Sequence, residues 1–252
     1  MNTLVVLPTF NEAENLGPMM KQLLGLPIED LHVLIIDDNS QDGTGQIADD
    51  LSREFPVQVS VMHRSGRMGL GTAYVTGFRW SLEHNADNII QMDCDFSHSP
   101  SYLPQFVSKM SDYDVVIGSR YVPGGTLDPH WSAWRTFLSK WANSFWVRLF
   151  LGTQVRDATA GFKCWNRRAL GRMDLDGVKS NGYVFQVEMA YLSEKNGLRI
   201  LEWPIHFEDR RIGKSKMTMS AKIEAAWRVP EIRLHYGGLD HSAHVERQRV
   251  SA

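Results

Sequence analysis

The feature that most constrains the fold is a regular alternation of short apolar runs with longer amphipathic segments in the first half of the chain. The apolar runs are rich in Val, Ile and Leu and lie at residues 4–7, 32–36, 57–62, 89–92 and 115–118. Between them, residues 11–26, 45–54, 72–84 and 101–110 carry apolar side chains at spacings of three and four. Strands that alternate with helices predict an α/β fold, in which crossover helices cover a mostly parallel central sheet.

Length and composition exclude several classes of protein. The 252 residues suit one domain, and 43 % hydrophobic with 22 % charged residues are close to globular averages, so a disordered chain is excluded. The net charge of −2 provides no overall field for a nucleic-acid backbone. No apolar run exceeds four residues, whereas a membrane-spanning helix needs about 20, so we expect none. The two cysteines, Cys94 and Cys164, are too few for a disulfide framework, which favours a cytoplasmic location.

Polar residues follow three of the predicted strands directly, at residues 8–12, 37–40 and 93–95. Ligands of parallel sheets collect at the carboxyl ends of the strands, so these residues are candidates for a binding site. Asp and Asn also cap helices and form turns, and this structural role explains any single one of the three polar segments equally well. Their occurrence after three strands favours a site at one edge of the sheet.

The sequence Asp93-Cys94-Asp95 suggests metal-dependent chemistry. Side chains in an extended chain alternate, so both carboxylates can lie on one side with Cys94 on the other. Their oxygens suit Mg²⁺ or Mn²⁺, but two carboxylates are too few to enclose the ion and leave positions for a diphosphate. An isolated Asp-x-Asp is more often a surface turn, so its position after a strand carries the hypothesis.

Five ordered motifs together resemble one family of enzymes. They are Pro8-Thr9-Phe10-Asn11-Glu12, Asp37-Asp38-Asn39-Ser40-Gln41-Asp42-Gly43-Thr44, Asp93-Cys94-Asp95-Phe96-Ser97-His98, Gly118-Ser119-Arg120-Tyr121-Val122-Pro123-Gly124-Gly125 and Asp157-Ala158-Thr159-Ala160-Gly161-Phe162. In this order they resemble the dolichyl-phosphate (polyprenyl-phosphate) mannose synthases of the family 2 glycosyltransferases. The resemblance implies a GT-A-type fold, GDP-mannose as donor, Mg²⁺ or Mn²⁺, and a dolichyl or polyprenyl phosphate as acceptor. It covers one domain, residues 1–236, with a nucleotide-sugar half up to about residue 120 and an acceptor half after it.

The same resemblance implies roles for individual residues. Pro8, Phe10, Glu12, Ile36 and Asp38 would bind the nucleoside, and Asp93, Cys94 (through its backbone), Asp95 and Ser97 would surround the metal and diphosphate, with Asp93, Asp95 and Ser97 as metal ligands. Arg210 and Lys216 would contact the donor's diphosphate, and Arg120, Arg135 and Ser139 the acceptor phosphate. Asp95, Arg120, Arg210 and Lys216 would therefore be catalytic. This chain departs from the family at Phe10, which is often Tyr, and at Ser97, which is Gln in some members.

The expected reaction inverts the anomeric configuration, because the acceptor attacks from the side opposite the leaving GDP. A phosphate monoester is already anionic near pH 7, so the nucleophile hardly needs a general base. Catalysis would then depend on positioning and on neutralising the leaving diphosphate. Glu188 lies where many family 2 transferases place a carboxylate near the acceptor. For a hydroxyl acceptor it would serve as a base; with a phosphate acceptor it could orient Arg or Gln neighbours or simply lie on a helix face. Asp157 could pair with an arginine of the acceptor site.

The glycine-rich sequence Gly66-Arg67-Met68-Gly69-Leu70-Gly71 superficially resembles a dinucleotide phosphate loop. Its order is G-x-x-G-x-G instead of G-x-G-x-x-G, and it follows the third predicted strand where the first is usual. We therefore expect a loop and helix start that pack near the nucleotide. Asp87 and Asp93 lie near the spacing of an acidic ribose ligand, so spacing alone does not exclude an oxidoreductase.

The second half of the chain contains a segment that suggests contact with a lipid surface. Between residues 130 and 152, apolar residues recur at helical spacing and basic ones interleave: Trp131, Trp134, Leu138, Trp141, Phe145 and Leu149, with Arg135, Lys140 and Arg148. An ordinary helix packed on the sheet would show the same periodicity. The tryptophans, the basic face and the family's lipid acceptor favour the membrane interface. We expect peripheral attachment at the cytoplasmic face, and leave open a membrane-anchoring subunit.

The basic cluster at residues 210–216 matches the family's R-x-x-G-x-S-K pattern, and a solvated basic loop is its alternative explanation. It precedes a helical segment at residues 217–236, which Pro230 should bend or interrupt. The polar residues 237–252 are expected to form a disordered tail.

Two other functions are compatible with the sequence. A UDP-glucose:polyprenyl-phosphate glucosyltransferase would keep the mechanism and change the donor. A non-catalytic nucleotide-sugar-binding module that docks on membranes would keep the pocket without turnover, but the intact Asp93, Asp95, Arg120 and Arg210 argue against it.

Overall fold

The computed structural model describes residues 1–130, 136, 140–182, 184–209, 219–238 and 244–248. Its strands are β1 (Thr3–Thr9), β2 (Leu31–Asp37), β3 (Val59–His63), β4 (Asn88–Gln91), β5 (Val115–Ser119), β6 (Thr126–Leu127), β7 (Lys163–Asn166), β8 (Arg199–Pro204), β9 (His206–Phe207) and β10 (His244–Arg247). An eight-stranded sheet has the order β10-β8-β5-β7-β4-β1-β2-β3, and β6 pairs separately with β9. In the large sheet only β7 runs antiparallel to its neighbours β4 and β5, among the strands described. The predicted mostly parallel α/β sheet is confirmed.

Helices connect these strands as crossovers. They are α1 (Ala13–Leu24), α2 (Thr44–Glu54), α3 (Leu70–Glu83), α4 (Leu103–Lys109) after a 3₁₀ turn (Pro100–Tyr102), α5 (Arg148–Leu151) after a π-helical segment (Ala142–Val147), α6 (Arg167–Leu170), α7 (Val184–Lys195) and α8 (Met219–Tyr236). Each predicted strand and helix of the first 120 residues is found, with ends that differ by a few residues. Within the described residues, no helix has the length and apolar character needed to cross a membrane.

Two apolar clusters fill the two faces of the sheet. Neighbouring residues of β1 separate between them, because side chains alternate along a strand: Val6 lies in one cluster with Phe78 of α3, and Val5 lies in the other with Leu16 of α1. Helix α3 lies against β1 at short range, since a Cβ at Gly77 would approach Val6 Cγ1 to 2.3 Å. Burying each large apolar side chain contributes about 1.5–3 kcal/mol, so these two layers fix the sheet that carries the site.

The antiparallel β7 brings a distant part of the chain to the ligand-binding edge. Parallel strands β1, β2, β4 and β5 all end at one edge of the sheet, and β7 begins there because it runs the other way. The loop at residues 157–162 therefore meets the residues that follow β4. This arrangement brings residues from the first and second halves of the chain to one edge of the sheet.

One sequence-based expectation for the end of the chain is wrong. Residues 244–247, expected in a disordered tail, form β10 and pair in parallel with β8. The backbone of β8 supplies the hydrogen bonds to β10. The Tyr113 hydroxyl donates a hydrogen bond to Glu246 Oε2 at 2.6 Å, so a polar sequence suffices here. Helix α8 continues through Pro230, so of the predicted bend or interruption the interruption does not occur.

Candidate active site

The two aspartates of the Asp93-Cys94-Asp95 sequence lie directly beyond β4. Cys94 is buried within the apolar cluster on one face of the sheet, as the alternation of side chains predicted. Tyr74 of α3 donates a hydrogen bond to Asp93 Oδ1 at 2.7 Å, and the backbone N–H of Ser97 donates to Asp95 Oδ1 at 3.0 Å. Burial and then the charge of Asp93 raise the pKa of the Tyr74 hydroxyl, which keeps it a donor. Both carboxylates are thus held as hydrogen-bond acceptors.

The residues at this edge fit a divalent ion that is shared with a ligand. Among the residues described, no group of three or more His, Cys, Asp or Glu side chains could hold a metal by itself. Asp93 and Asp95 would supply hard carboxylate oxygens, and Ser97 is buried beside them. A site with so few protein ligands leaves coordination positions for other oxygens, such as those of a diphosphate.

Three buried polar side chains near the aspartates, Lys163, Gln186 and Gln91, are joined by hydrogen bonds. Lys163, at the start of β7, is fully buried and donates from Nζ to the carbonyl oxygen of Ala160 and to Gln186 Oε1, the latter at 2.9 Å. Gln91 of β4 also donates to Gln186 Oε1. Burial lowers the pKa of Lys163 to about 7, although Asp157 and Asp93 oppose this change. Sequence reasoning missed this group, because no spacing rule marks a lysine that a strand carries into the core.

The loop predicted to bind the nucleoside is held by a polar network. The Asp37 carboxylate accepts hydrogen bonds from the Ser40 backbone, the Ser40 hydroxyl and the Thr9 hydroxyl. Pro8 is partly exposed at the same edge. Phe10 is also partly exposed, and the guanidinium carbon of Arg67 lies 4.5 Å from the centroid of its ring.

Three other residues assigned to the nucleoside contact the protein itself. Glu12 accepts a hydrogen bond from Asn15 Nδ2 at 2.7 Å, at the start of α1. Ile36 is fully buried in the core. Its side chain packs against α3 near Gly77, and its role in holding the nucleoside stays a prediction. Asp38 accepts hydrogen bonds from Arg64 at 2.6 Å and from the Gly69 backbone at 3.0 Å.

Two amides of the glycine-rich loop bind side chains of the protein itself. The Gly69 N–H binds Asp38, and the Gly71 N–H donates to Asn181 Oδ1 at 3.0 Å. Gly69 has a φ of +97°, and a Cβ there would lie 2.3 Å from Asn181 Nδ2. The loop is therefore clamped between Asp38 and Asn181, which supports the expected helix start and argues against dinucleotide binding.

Arg120 and Asp157 form a buried ion pair at the end of β5. Arg120 donates from Nε to Asp157 Oδ2 at 2.7 Å, from Nη2 to Asp157 Oδ1 at 2.6 Å, and from its backbone N–H to Asp157 Oδ2 at 2.9 Å. The side chains are only 4 % and 0 % exposed. The predicted pairing of Asp157 with an arginine is confirmed, and it places Arg120 between the β5 loop and the loop before β7.

Comparison with known proteins agrees with this geometry. Residues 4–178 match the model of the family described as Glycosyl transferase family 2. The polyprenol monophosphomannose synthase of Mycolicibacterium smegmatis is 41 % identical over 246 residues, covering 97 % of this chain and 91 % of the relative. The chain belongs to glycosyltransferase family 2. The undecaprenyl-phosphate mannosyltransferase of Micrococcus luteus is 43 % identical over 218 residues, covering 86 % of this glycosyltransferase and 88 % of its relative.

Solved structures show the same fold at low identity. A mannosyltransferase from Pyrobaculum calidifontis in complex with GDP-Man and Mn²⁺ superposes with a TM-score of 0.58 at 17 % identity, covering 85 % of this chain and 58 % of that longer one. Glucosyl-3-phosphoglycerate synthase from Mycobacterium tuberculosis, in complex with Mn²⁺, UDP and glucosyl-3-phosphoglycerate, superposes with a TM-score of 0.64 at 15 % identity. The superposition covers 95 % of this chain and 81 % of the synthase chain. This glycosyltransferase therefore has the GT-A-type fold that its motifs implied.

Glu188 of the glycosyltransferase faces the protein interior. Its carboxylate accepts hydrogen bonds from the backbone N–H groups of Lys179 and Ser180 and from the Tyr236 hydroxyl at 2.7 Å. The carboxylate therefore joins α7 to α8 and to the loop that holds Asn181. Of the roles considered for Glu188, this geometry favours a structural one.

Several predicted site residues lie outside the described residues. They are Arg135 and Ser139, assigned to the acceptor phosphate, Arg210 and Lys216, assigned to the diphosphate, and Trp131, Trp134 and Leu138 of the apolar stripe. The described part of that stripe is helical from residue 140, and Trp141, Phe145 and Leu149 are 40 %, 53 % and 60 % exposed.

Proposed function

We propose that this enzyme transfers mannose from GDP-mannose to a polyprenyl or dolichyl phosphate, with inversion, to give polyprenyl-phosphate β-mannose. The observation that carries the proposal is the 41 % identity, over 97 % of the chain, to a polyprenol monophosphomannose synthase. The paired carboxylates beyond β4 support it, because they suit the diphosphate of a nucleotide sugar.

The donor would lie across the carboxyl edge of β1, β2 and β4. Phe10 would bind the nucleoside with Pro8, Glu12, Ile36 and Asp38, and Asp38 would also hold the glycine-rich loop. Asp93 and Asp95, with Ser97, would hold Mg²⁺ or Mn²⁺, which when bound neutralises the leaving diphosphate. Arg210 and Lys216 are proposed to add positive charge there. The Mn²⁺ in the Pyrobaculum and Mycobacterium structures supports a divalent ion.

The acceptor would approach from the Arg120 side. Its phosphate oxygen is already anionic, so the chain needs groups that position it, and no general base. The inward orientation of Glu188 agrees with this expectation. Arg120, with Arg135 and Ser139, is proposed to bind the acceptor phosphate, and Asp157 fixes the Arg120 guanidinium.

The test is transfer of radiolabel from GDP-mannose into a lipid that is extracted by organic solvent and is labile to mild acid. We expect transfer by the purified protein with Mn²⁺ or Mg²⁺ and polyprenyl phosphate, and none after Asp95→Asn. Asp112→Asn, at an exposed position, is the matched control and should retain activity. Transfer of label from UDP-glucose but not from GDP-mannose would show that the donor is UDP-glucose. No transfer from either donor would favour the non-catalytic nucleotide-sugar-binding module.

We also propose that the enzyme attaches peripherally to the cytoplasmic face of the membrane. Trp141, Phe145 and Leu149 are joined by Trp227 and Leu234 of α8, which are 74 % and 84 % exposed. The two helical segments are adjacent, since Arg233 of α8 donates to the Phe150 carbonyl oxygen at 3.2 Å. Exposed aromatic and aliphatic side chains of this kind suit a lipid interface.

Vesicle flotation tests this attachment. Phe145→Glu combined with Leu149→Glu should release the protein from vesicles that contain anionic lipid. Val57→Glu, at an 85 % exposed position between α2 and β3, should leave flotation unchanged. Equal flotation of all variants would show that another surface, or a membrane-anchoring subunit, provides the contact.

A further inference from the structure

Two buried polar atoms beside the aspartates have no hydrogen-bond partner among the residues that the structure describes. They are Gln186 Nε2 on α7 and His98 Nδ1 in the loop after β4; Gln91 Oε1, next to Gln186, is a further such atom. Both side chains are buried, at 2 % and 4 % exposure. A buried donor or acceptor without a partner costs about 1–3 kcal/mol, so such a group calls for a physical reason.

Both side chains border the same small space above Gly161. A Cβ on Gly161 would lie 3.3 Å from Asp93 Oδ2, 3.5 Å from His98 Cε1 and 3.6 Å from Gln186 Nε2. The absence of a side chain at Gly161 therefore leaves room between the Asp93 carboxylate, the imidazole and the amide. Tyr74 binds Oδ1 of Asp93, so its Oδ2 is the oxygen that faces this space.

The chemistry of these walls suits a hydroxyl group better than a phosphate. Lys163 Nζ donates to the Ala160 carbonyl and to Gln186 Oε1. Gln91 also donates to Gln186 Oε1, so the amide orientation is fixed and Nε2 is the donor that remains. His98 is held between the rings of Phe162 and Phe207. A neutral amide donor, an imidazole nitrogen and a carboxylate oxygen match the hydroxyls of a sugar.

We propose that Gln186 and His98 recognise hydroxyl groups of the transferred hexose, in a subsite completed by Asp93 and opened by Gly161. Lys163 is a positioning residue, because it orients the Gln186 amide and holds the Ala160 carbonyl next to Gly161. The proposal rests on the proposed donor class, a nucleotide diphosphate sugar whose diphosphate lies at Asp93 and Asp95. The proposal adds protein groups that contact the hexose and do not contact the nucleotide.

The experiment compares binding of GDP and GDP-mannose, each with Mn²⁺, by calorimetry without acceptor. Gln186→Met should weaken GDP-mannose binding about tenfold, the effect of losing one hydrogen bond to a buried group, and leave GDP binding unchanged. His98→Phe keeps the ring stacking and should act in the same direction. Gln105→Met, at an exposed position of α4, is the control and should change neither affinity.

A set of GDP-deoxymannose analogues provides a readout that a merely structural role would not change. Removing the recognised hydroxyl should weaken binding to the wild type and should have no further effect on Gln186→Met or His98→Phe. Equal losses for GDP and GDP-mannose, or a variant that responds to every deoxy analogue as the wild type does, would overturn the proposal. UDP and UDP-glucose are measured in parallel, to separate failure of this subsite proposal from failure of the proposed GDP-mannose donor. If the donor is UDP-glucose, Gln186→Met should weaken UDP-glucose binding and leave UDP binding unchanged. If Gln186→Met does not fold, His98→Phe decides.

Discussion

The buried pair of Arg120 and Asp157 leads to a quantitative prediction for Asp157→Asn. The substitution keeps the size of the side chain and removes its charge, so the buried Arg120 guanidinium loses the negative charge of Asp157. One of the oxygens that accept from Arg120 also becomes an NH₂ group, which cannot accept. Because the Asp157 side chain is 0 % and the Arg120 side chain 4 % exposed, water cannot replace the lost contacts.

We expect the free energy of unfolding to fall by about 3–5 kcal/mol, the usual cost of breaking a buried ion pair at one partner. Equilibrium urea denaturation measures this as a midpoint lowered by roughly 1–2 M at an unchanged slope. The control is Asp50→Asn, which removes the pair that Asp50 forms with Arg53 at 2.5 Å, where the side chains are 58 % and 69 % exposed. An exposed pair of this kind contributes under about 1 kcal/mol.

The reasoning would be refuted if Asp157→Asn lost no more stability than Asp50→Asn. It would also fail if replacing both partners, in an Arg120→Met, Asp157→Leu double variant, were as destabilising as Asp157→Asn alone. Removing both charges together should recover most of the loss, since no unpaired charge is left buried.

Three further predictions follow from local contacts. The hydrogen bond to Asp49 raises the pKa of His63, so His63→Gln should reduce stability at pH values below the ordinary histidine pKa of about 6.5 and have a vanishing effect above the raised pKa, in melts across pH. Gly69→Ala should destabilise by about 1–3 kcal/mol, because its φ is +97° and the Asn181 amide fills the space, whereas Gly17→Ala, with open space, should not destabilise. Glu188→Gln should lower the melting temperature but leave kcat within about threefold, whereas loss of a general base would lower it by about 10²–10⁴-fold.

The sheet and the aspartate edge could be predicted from the sequence because their signals are local. The apolar runs of β1, β2, β4 and β5 stand between helices of clear period, and the Asp93-Cys94-Asp95 sequence follows β4 directly. Regular alternation then places the polar residues at one edge. These predictions needed no knowledge of which distant segments meet.

The features that the sequence did not reveal depend on long-range pairing. Lys163 is buried because β7 inserts antiparallel between β4 and β5, and nothing in its local sequence distinguishes it from a surface lysine. Gln186 meets Lys163 and Gln91 only because the fold brings α7 next to β4 and β7. The edge strand β10 is polar, and its pairing with β8 satisfies backbone groups that composition does not report.

The central claim is that Asp93 and Asp95 hold the diphosphate of the donor through a divalent ion. Its most direct test is the affinity for GDP with and without Mn²⁺, measured by calorimetry on the wild type and on Asp95→Asn. The account predicts that Mn²⁺ tightens GDP binding to the wild type and has no effect on GDP binding to Asp95→Asn. An equal enhancement by Mn²⁺ in both proteins would show that the ion and the nucleotide bind elsewhere.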